Sequence, residues 1–201
     1  MSINVCNDRS MASITSLPSG VSGGSLVLLS TQTVSDSGTV DFTSNIDSTY
    51  KEYIFKFIDI HPVTDGADFS FQADTGTNTS YNQTMTTSAF YSENTETSGG
   101  GGVAYSNGRD QAQGTSFQQI CDDVGSGNDE SCVGTLHLFD PSNTTFVKHF
   151  IARTHDYQNG NYAQTWFHAG YFNTTTALTR VRFKFSSGNI DNGTIKMYGV
   201  E

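Results

Sequence analysis

The feature that most narrows what this chain can fold into is side-chain alternation with a period of two. In Arg180-Val181-Arg182-Phe183-Lys184-Phe185 the apolar residues hold the odd positions and the cations the even ones. Successive side chains on a strand point to opposite faces, so Val181, Phe183 and Phe185 are expected to face a core. Ile195 and Met197 repeat the rule beyond Asn189–Gly193, which predicts a closing hairpin over Thr179–Glu201 with the C-terminus a full member of the sheet.

The same signal recurs upstream at regular spacing. Strands are predicted at Ser25–Thr31, Thr39–Thr43, Glu52–Ile60, Asp68–Ala73, Gln83–Tyr91, Val103–Ser106, Thr115–Cys121, Val133–Phe139, Thr145–Arg153, Ala163–Phe172, Leu178–Phe185 and Thr194–Val200. Breakers such as HPVTDGAD, DTGTNTS, GSGNDES and DPSNTT separate them, and Asn94–Gly102 reads as a glycine-rich loop. Short strands at this spacing predict an all-β fold, an antiparallel β-sandwich of jelly-roll-like form. The 14 Phe and 9 Tyr of 201 residues, set among Ser, Thr, Asn and Gly, suit inner faces filled by a few large rings. Glu52–Ile60 is apolar on both faces apart from Lys56 and Asp59, as a central strand would be. Phe69/Phe71, Leu136/Leu138 and Phe146/Phe150 are expected to be half-buried. One domain, 25–201, is expected, preceded by an extended N-terminal arm, 1–24, of weak periodicity and a Gly-rich end.

Charge excludes some partners. Against 20 Asp+Glu the chain has 10 Lys+Arg, a net −10, which repels phosphate backbones and anionic lipid. The longest apolar run, Leu26–Leu29, is too short to cross a membrane, and Met1–Leu17 lacks the apolar stretch of a secretory signal. Synthesis in a cytosol is the expectation.

The reactive residues do not assemble into a known motif. Gly20-Val21-Ser22-Gly23-Gly24 has the letters of a nucleophile elbow, but it follows no strand and reads as a loop. Asp122–Glu130 concentrates four carboxylates, Asp122, Asp123, Asp129 and Glu130, in a Gly-rich loop. It reads as a solvated acidic hairpin, with Ca²⁺ binding the lesser alternative because the EF-hand spacing is missing. His61, His137, His149, His155 and His168 show no paired ligand spacing, and His137 and His149 fall on the outward parity of their strands. Cys6, Cys121 and Cys132 are an odd count; Cys121 and Cys132 flank the acidic loop, where as hairpin partners they would be either bridged or free thiols. Trp166, Phe167, Tyr171 and Phe172 share one strand, so some ring must face outward: Trp166 and Phe172 if Phe167 faces in. Such a ring either packs at a core or subunit interface or stacks on a sugar. No catalytic residue, cofactor or metal ligand is nominated, and a non-enzymatic protein is expected.

Longer phrases carry a resemblance. Gln32-Thr33 precedes Val40-Asp41-Phe42-Thr43-Ser44, followed by IDSTYKEYIFKF, IHPVTDGADFSFQ, GTLHLFDPSNTTFVKHF and AGYFNTTTALTRVRFKFSSGNIDNGTIKMYGV. Over Leu26–Val200 the chain resembles β-rich virion structural proteins of marine tailed bacteriophages. The resemblance implies a virion surface protein made in the host cytoplasm: a capsid decoration (cement) subunit or, alternatively, a tail- or head-fibre adhesin that binds host glycans. It implies the major capsid protein or another virion protein as partner. The arm 1–24 is suited to that attachment, and a homo-oligomer, with a trimer as the simplest ring, is expected.

Overall fold

A computed structural model describes residues 26–97 and 100–201. The predicted arm, Cys6 and the Gly20–Gly24 loop lie outside them. The described residues form β1 (Leu26–Ser37), β2 (Val40–Phe42), β3 (Glu52–Pro62), β4 (Ala67–Thr75), β5 (Met85–Thr95), β6 (Gly101–Tyr105), β7 (Ala112–Gly114), β8 (Gln118–Val124), β9 (Cys132–Phe139), β10 (Lys148–Gln158), β11 (Tyr162–Phe172), β12 (Leu178–Phe185) and β13 (Ile190–Val200). The fold is all-β, and every pairing is antiparallel. Each predicted strand has a counterpart; β7, with the residues Ala-Gln-Gly, has no alternation to read.

The strands make one sheet. A long run, β1-β13-β3-β9-β10-β11-β5, has β6 and β7 along its outer strand, and a short run, β8-β4-β12-β2, joins it where Gln158 of β10 pairs with Val124 of β8. β1 and β2 stand at opposite ends of that order, yet only Gly38 and Thr39 separate them in the chain. Two residues span at most about 7 Å. The two ends of the sheet are therefore held together, and the sheet is nearly closed on itself.

The closing segment is not a hairpin. β12 pairs with β4 and β2, whereas β13 pairs with β1 and β3, so Ser186–Asn189 carries the chain from the short run to the long one. β13 also starts earlier than the alternation suggests. Ile190–Gly193 joins it through register shifts at Asn192, opposite a bulge in β3 where Asp59 has φ +51°. Gly193 (φ +137°) is required there, because a Cβ would lie 2.8 Å from the Asp59 carbonyl oxygen.

Closure brings the aromatic strands face to face. The Phe183 ring of β12 lies between 5.2 and 6.3 Å from those of Phe42, Phe55, Phe57, Phe69 and Phe71. β3 and β12 are not sheet neighbours, so these contacts cross the interior. Strand β4 is buried on both faces, not half-buried as its alternation suggests: Phe69 and Phe71 face the rings, and Asp68, Ser70, Gln72 and Asp74 lie under the loops before β5 and β8. Phe146 departs further. Its amide and that of Thr145 both donate to the Asn143 side chain, at 2.9 and 2.7 Å, which fixes a turn. β10 therefore begins only at Lys148, and Phe146 is exposed.

Candidate functional site

Where β8 leaves the short run to meet β10, polar side chains collect in the interior. Asp68 of β4 and Asp122 and Asp123 of β8 each place a carboxylate oxygen within 4.8 Å of the others. Arg109 binds Asp122, stands 3.7 Å from Asp68 and donates to Gln119 at 2.9 Å. Gln119 and the amide of Asp123 donate to Asp68 at 2.5 and 3.1 Å. Asp156 of β10 stands apart from that trio: its exposure is 0%, neither carboxyl oxygen has a hydrogen-bond partner, and its charge acts on Cys121 of β8. Both ring nitrogens of His168, next along the inner face of β11, are equally unpartnered.

Burial governs the electrostatics here. It pushes the carboxyl of Asp156 up to about 8, helped by the charges of Asp122, Asp123 and Asp68. It pushes Asp122 up to about 7, joined by Asp68 and Asp123 and opposed by Arg109. It pulls the imidazole of His168 down to about 3, with Arg109 adding to the effect. Near neutral pH Asp156 is thus a neutral acid and His168 a neutral imidazole. They stand four rungs apart on the β10–β11 pair, Asp156 opposite Gln164 and His168 opposite Ala152, and neither has surface open to a substrate.

The opposite side of the long run is a flat, partly apolar face. Register aligns Tyr105, Phe90, Phe167 and Arg153 in one row across β6, β5, β11 and β10. Phe90 stacks on Phe167 at 4.8 Å, and the Arg153 guanidinium lies 5.3 Å from the Phe167 ring. The next rows toward one edge hold Ile151 beside His137, and Tyr171 beside His149. Phe90, Ile151, Val133 and Tyr105 remain exposed at 44%, 52%, 37% and 55%. The rows continue through Thr135, Lys56 and Lys196. Arg153, Lys56 and Lys196 stand on this face against Glu52, the reverse of the chain's net −10.

The outward ring on β11 is therefore Phe167, not Trp166 or Phe172, which are buried. Trp166 packs on Tyr91 at 4.6 Å and donates to Gln164 at 3.2 Å. His137 and His149 do face outward, His137 meeting Glu52 at 2.6 Å. The acidic loop divides: Asp122 and Asp123 belong to β8 and are half-buried, and only its tip is solvated. Asp129 and Glu130 at that tip line a polar cleft of about 390 Å³ with Asp59, His61 and Asp191. Cys121 and Cys132 are not hairpin partners, since β8 pairs with β4 and β9 pairs with β3 and β10; both are buried free thiols, in contact across the corner. The loop read at Asn94–Gly102 contributes both its ends to β5 and β6.

Comparison with known proteins finds no matching family model, no matching curated sequence and no matching solved structure.

Proposed function

We propose that the chain is a non-enzymatic structural subunit of a virion surface, a capsid decoration subunit that packs through the outer face of the long run. The observation that carries this reading is the exposed row Tyr105-Phe90-Phe167-Arg153 with Ile151 and Val133 beside it. A contiguous apolar surface on a sheet is costly in water and marks a contact. Its cations Arg153, Lys56 and Lys196, in a chain of net −10, suit an acidic neighbour; the acidic remainder of a second copy is one. A contact between different faces of identical chains closes into a ring, which accords with a trimer. The phage-protein resemblance over Leu26–Val200 supports the same reading.

The decisive experiment is quantitative mass spectrometry of purified virions that encode this chain. Many copies per particle are expected; few or none would reject the proposal. A second reading, a fibre adhesin for host glycans, is favoured by the Phe90–Phe167–Arg153 platform, because flat rings stack on sugar faces. Glycan-array binding lost on Phe90→Ala would select it over the first.

A further inference from the structure

We propose that Cys121 and Cys132 are the two halves of an intramolecular disulfide, formed by exchange with a low-molecular-weight disulfide such as oxidised glutathione, that ties the short run of the sheet to the long one. The two thiols come from strands that do not pair with each other: β8 bonds to β4 and β10, and β9 to β3 and β10. They meet because β8, paired with β10 only at Val124–Gln158, runs on along its inner side. The buried Thr154 hydroxyl of β10 donates to the carbonyl of Ile120 and lies within hydrogen-bonding reach of the Cys121 sulfur. Two residues further along the same inner face, Asp156 shares a rung with Cys132. Cys121 and Cys132 therefore approach one stretch of β10 from two sides, and their thiols lie within hydrogen-bonding reach of each other. Both are buried, at 1% and 0% exposure, and there is no other thiol among the described residues.

The step balances as an exchange. The thiolate of one cysteine attacks glutathione disulfide, releasing one glutathione thiol and leaving a mixed disulfide. The second cysteine attacks its own partner's sulfur in that bond, expels the other glutathione thiol and closes Cys121–Cys132. The cysteines lose two protons and two electrons, and the glutathione disulfide gains them. Burial pushes the Cys121 thiol well above its ordinary range, with Cys132 and the charge of Asp156 adding to the effect. A buried thiol is a slow nucleophile, so the exchange runs while β8 is open, in the folding chain or in local unfolding. The same burial shields the finished bond from reducing thiols. Ten residues, Asp122–Ser131, separate the two cysteines, and cross-linking a loop of that size removes freedom chiefly from the unfolded chain. In the folded chain it adds a covalent tie between β8 and β9, beside the single rung that joins the two runs. The sheet is thereby locked outside a reducing cytosol and held without that tie inside one.

The test refolds the full chain in mixed reduced and oxidised glutathione, blocks residual thiols by alkylation and maps the cysteines by peptide mass spectrometry. The same chain kept in excess reductant is the reference. A linked Cys121–Cys132 peptide, lighter by two hydrogens, is expected, with a Tm about 5 °C or more above that of the reduced protein. Cys6→Ser should keep both the linked peptide and the rise. Cys121→Ala and Cys132→Ala should each abolish the redox-dependent rise whatever their own Tm. Free or glutathione-bound Cys121 and Cys132 with no link between them would overturn the proposal. So would a link from either to Cys6, or a cross-linked protein that melts at or below the reduced one.

Discussion

The interior has two ends built on opposite principles. Around Phe183, rings from β2, β3, β4 and β12 pack edge to face, tilted or stacked and need no partner beyond one another. At the β8–β10 end, carboxyls gather about one guanidinium, and Asp156 is buried with no donor at all. The first end gains stability from area removed from water, a nondirectional effect that tolerates any tight arrangement. The second gains little and specifies much, since each polar atom must find its own partner or forfeit solvation. The contrast teaches that closure of the sheet rests on the aromatic end, while the polar corner makes that closure sensitive to solution conditions.

The largest effect should come from Phe183→Ala. Its ring touches five others, so a cavity opens at the crossing of the two runs, and urea denaturation should show a loss of about 3–5 kcal/mol. A loss under 1 kcal/mol would mean the aromatic end does not hold the sheet closed.

Next in size is the pH dependence of folding stability. Asp122 and Asp156 keep protons in the folded state up to about 7 and about 8 but release them near 3.8 when unfolded. The folded state binds more protons over that window, so these groups stabilise at low pH and the stability is lost as pH rises from about 4 to 8. His168 acts the other way: folded near 3 against 6.5, it lowers stability as pH falls through that interval. Between about 6.5 and 7.5 the two carboxyls outweigh His168, and stability should fall by about 1.5 kcal/mol per pH unit. Chemical denaturation from pH 5 to 9 measures it. Asp156→Asn should remove most of the slope and raise stability at pH 8; an unchanged slope would remove Asp156 from the account.

The outer face supplies a smaller, separable effect. Phe90→Ser with Ile151→Ser should cost no more than about 2 kcal/mol of folding stability, since each side chain is about half exposed, yet abolish self-association or capsid attachment measured by light scattering or co-sedimentation. Smallest of all is Lys51→Ala. Its pair with Asp140 at 3.0 Å is exposed, with the lysine side chain 77% accessible, and no stability change beyond about 0.5 kcal/mol is expected by urea denaturation.

Much of the fold was legible in the sequence because alternation is a local property. The odd-position residues Val181, Phe183 and Phe185 are buried, as are Ile195 and Met197, and His137 and His149 face outward on the parity their strands imply. The polar half of β1, Gln32–Ser37, gave no strand signal. It is a strand because β13 offers it a ladder of backbone partners from Gln32↔Ile195 to Ser37↔Ile190. The outward ring on β11 was left open for a related reason. Trp166 and Phe167 are adjacent and both aromatic, so parity alone cannot say which faces in; the loop carrying Arg109 and the inward row with Tyr91 decide it. The carboxylate corner was only partly visible. Asp122 and Asp123 stood out as neighbours in an acidic loop, but Asp68 lies 54 residues from Asp122 and was an ordinary strand residue until the chain closed.

By itself, then, the sequence determined that this chain is antiparallel β, where its strands lie and which residues of each strand form the core, because a period of two acts between neighbours in the chain. The tertiary structure alone decided that Thr179–Glu201 is a crossover and not a hairpin, and that Asp68 joins Asp122 and Asp123 in one corner. Those facts depend on which strands pair, and pairing is settled by contacts between residues far apart in sequence.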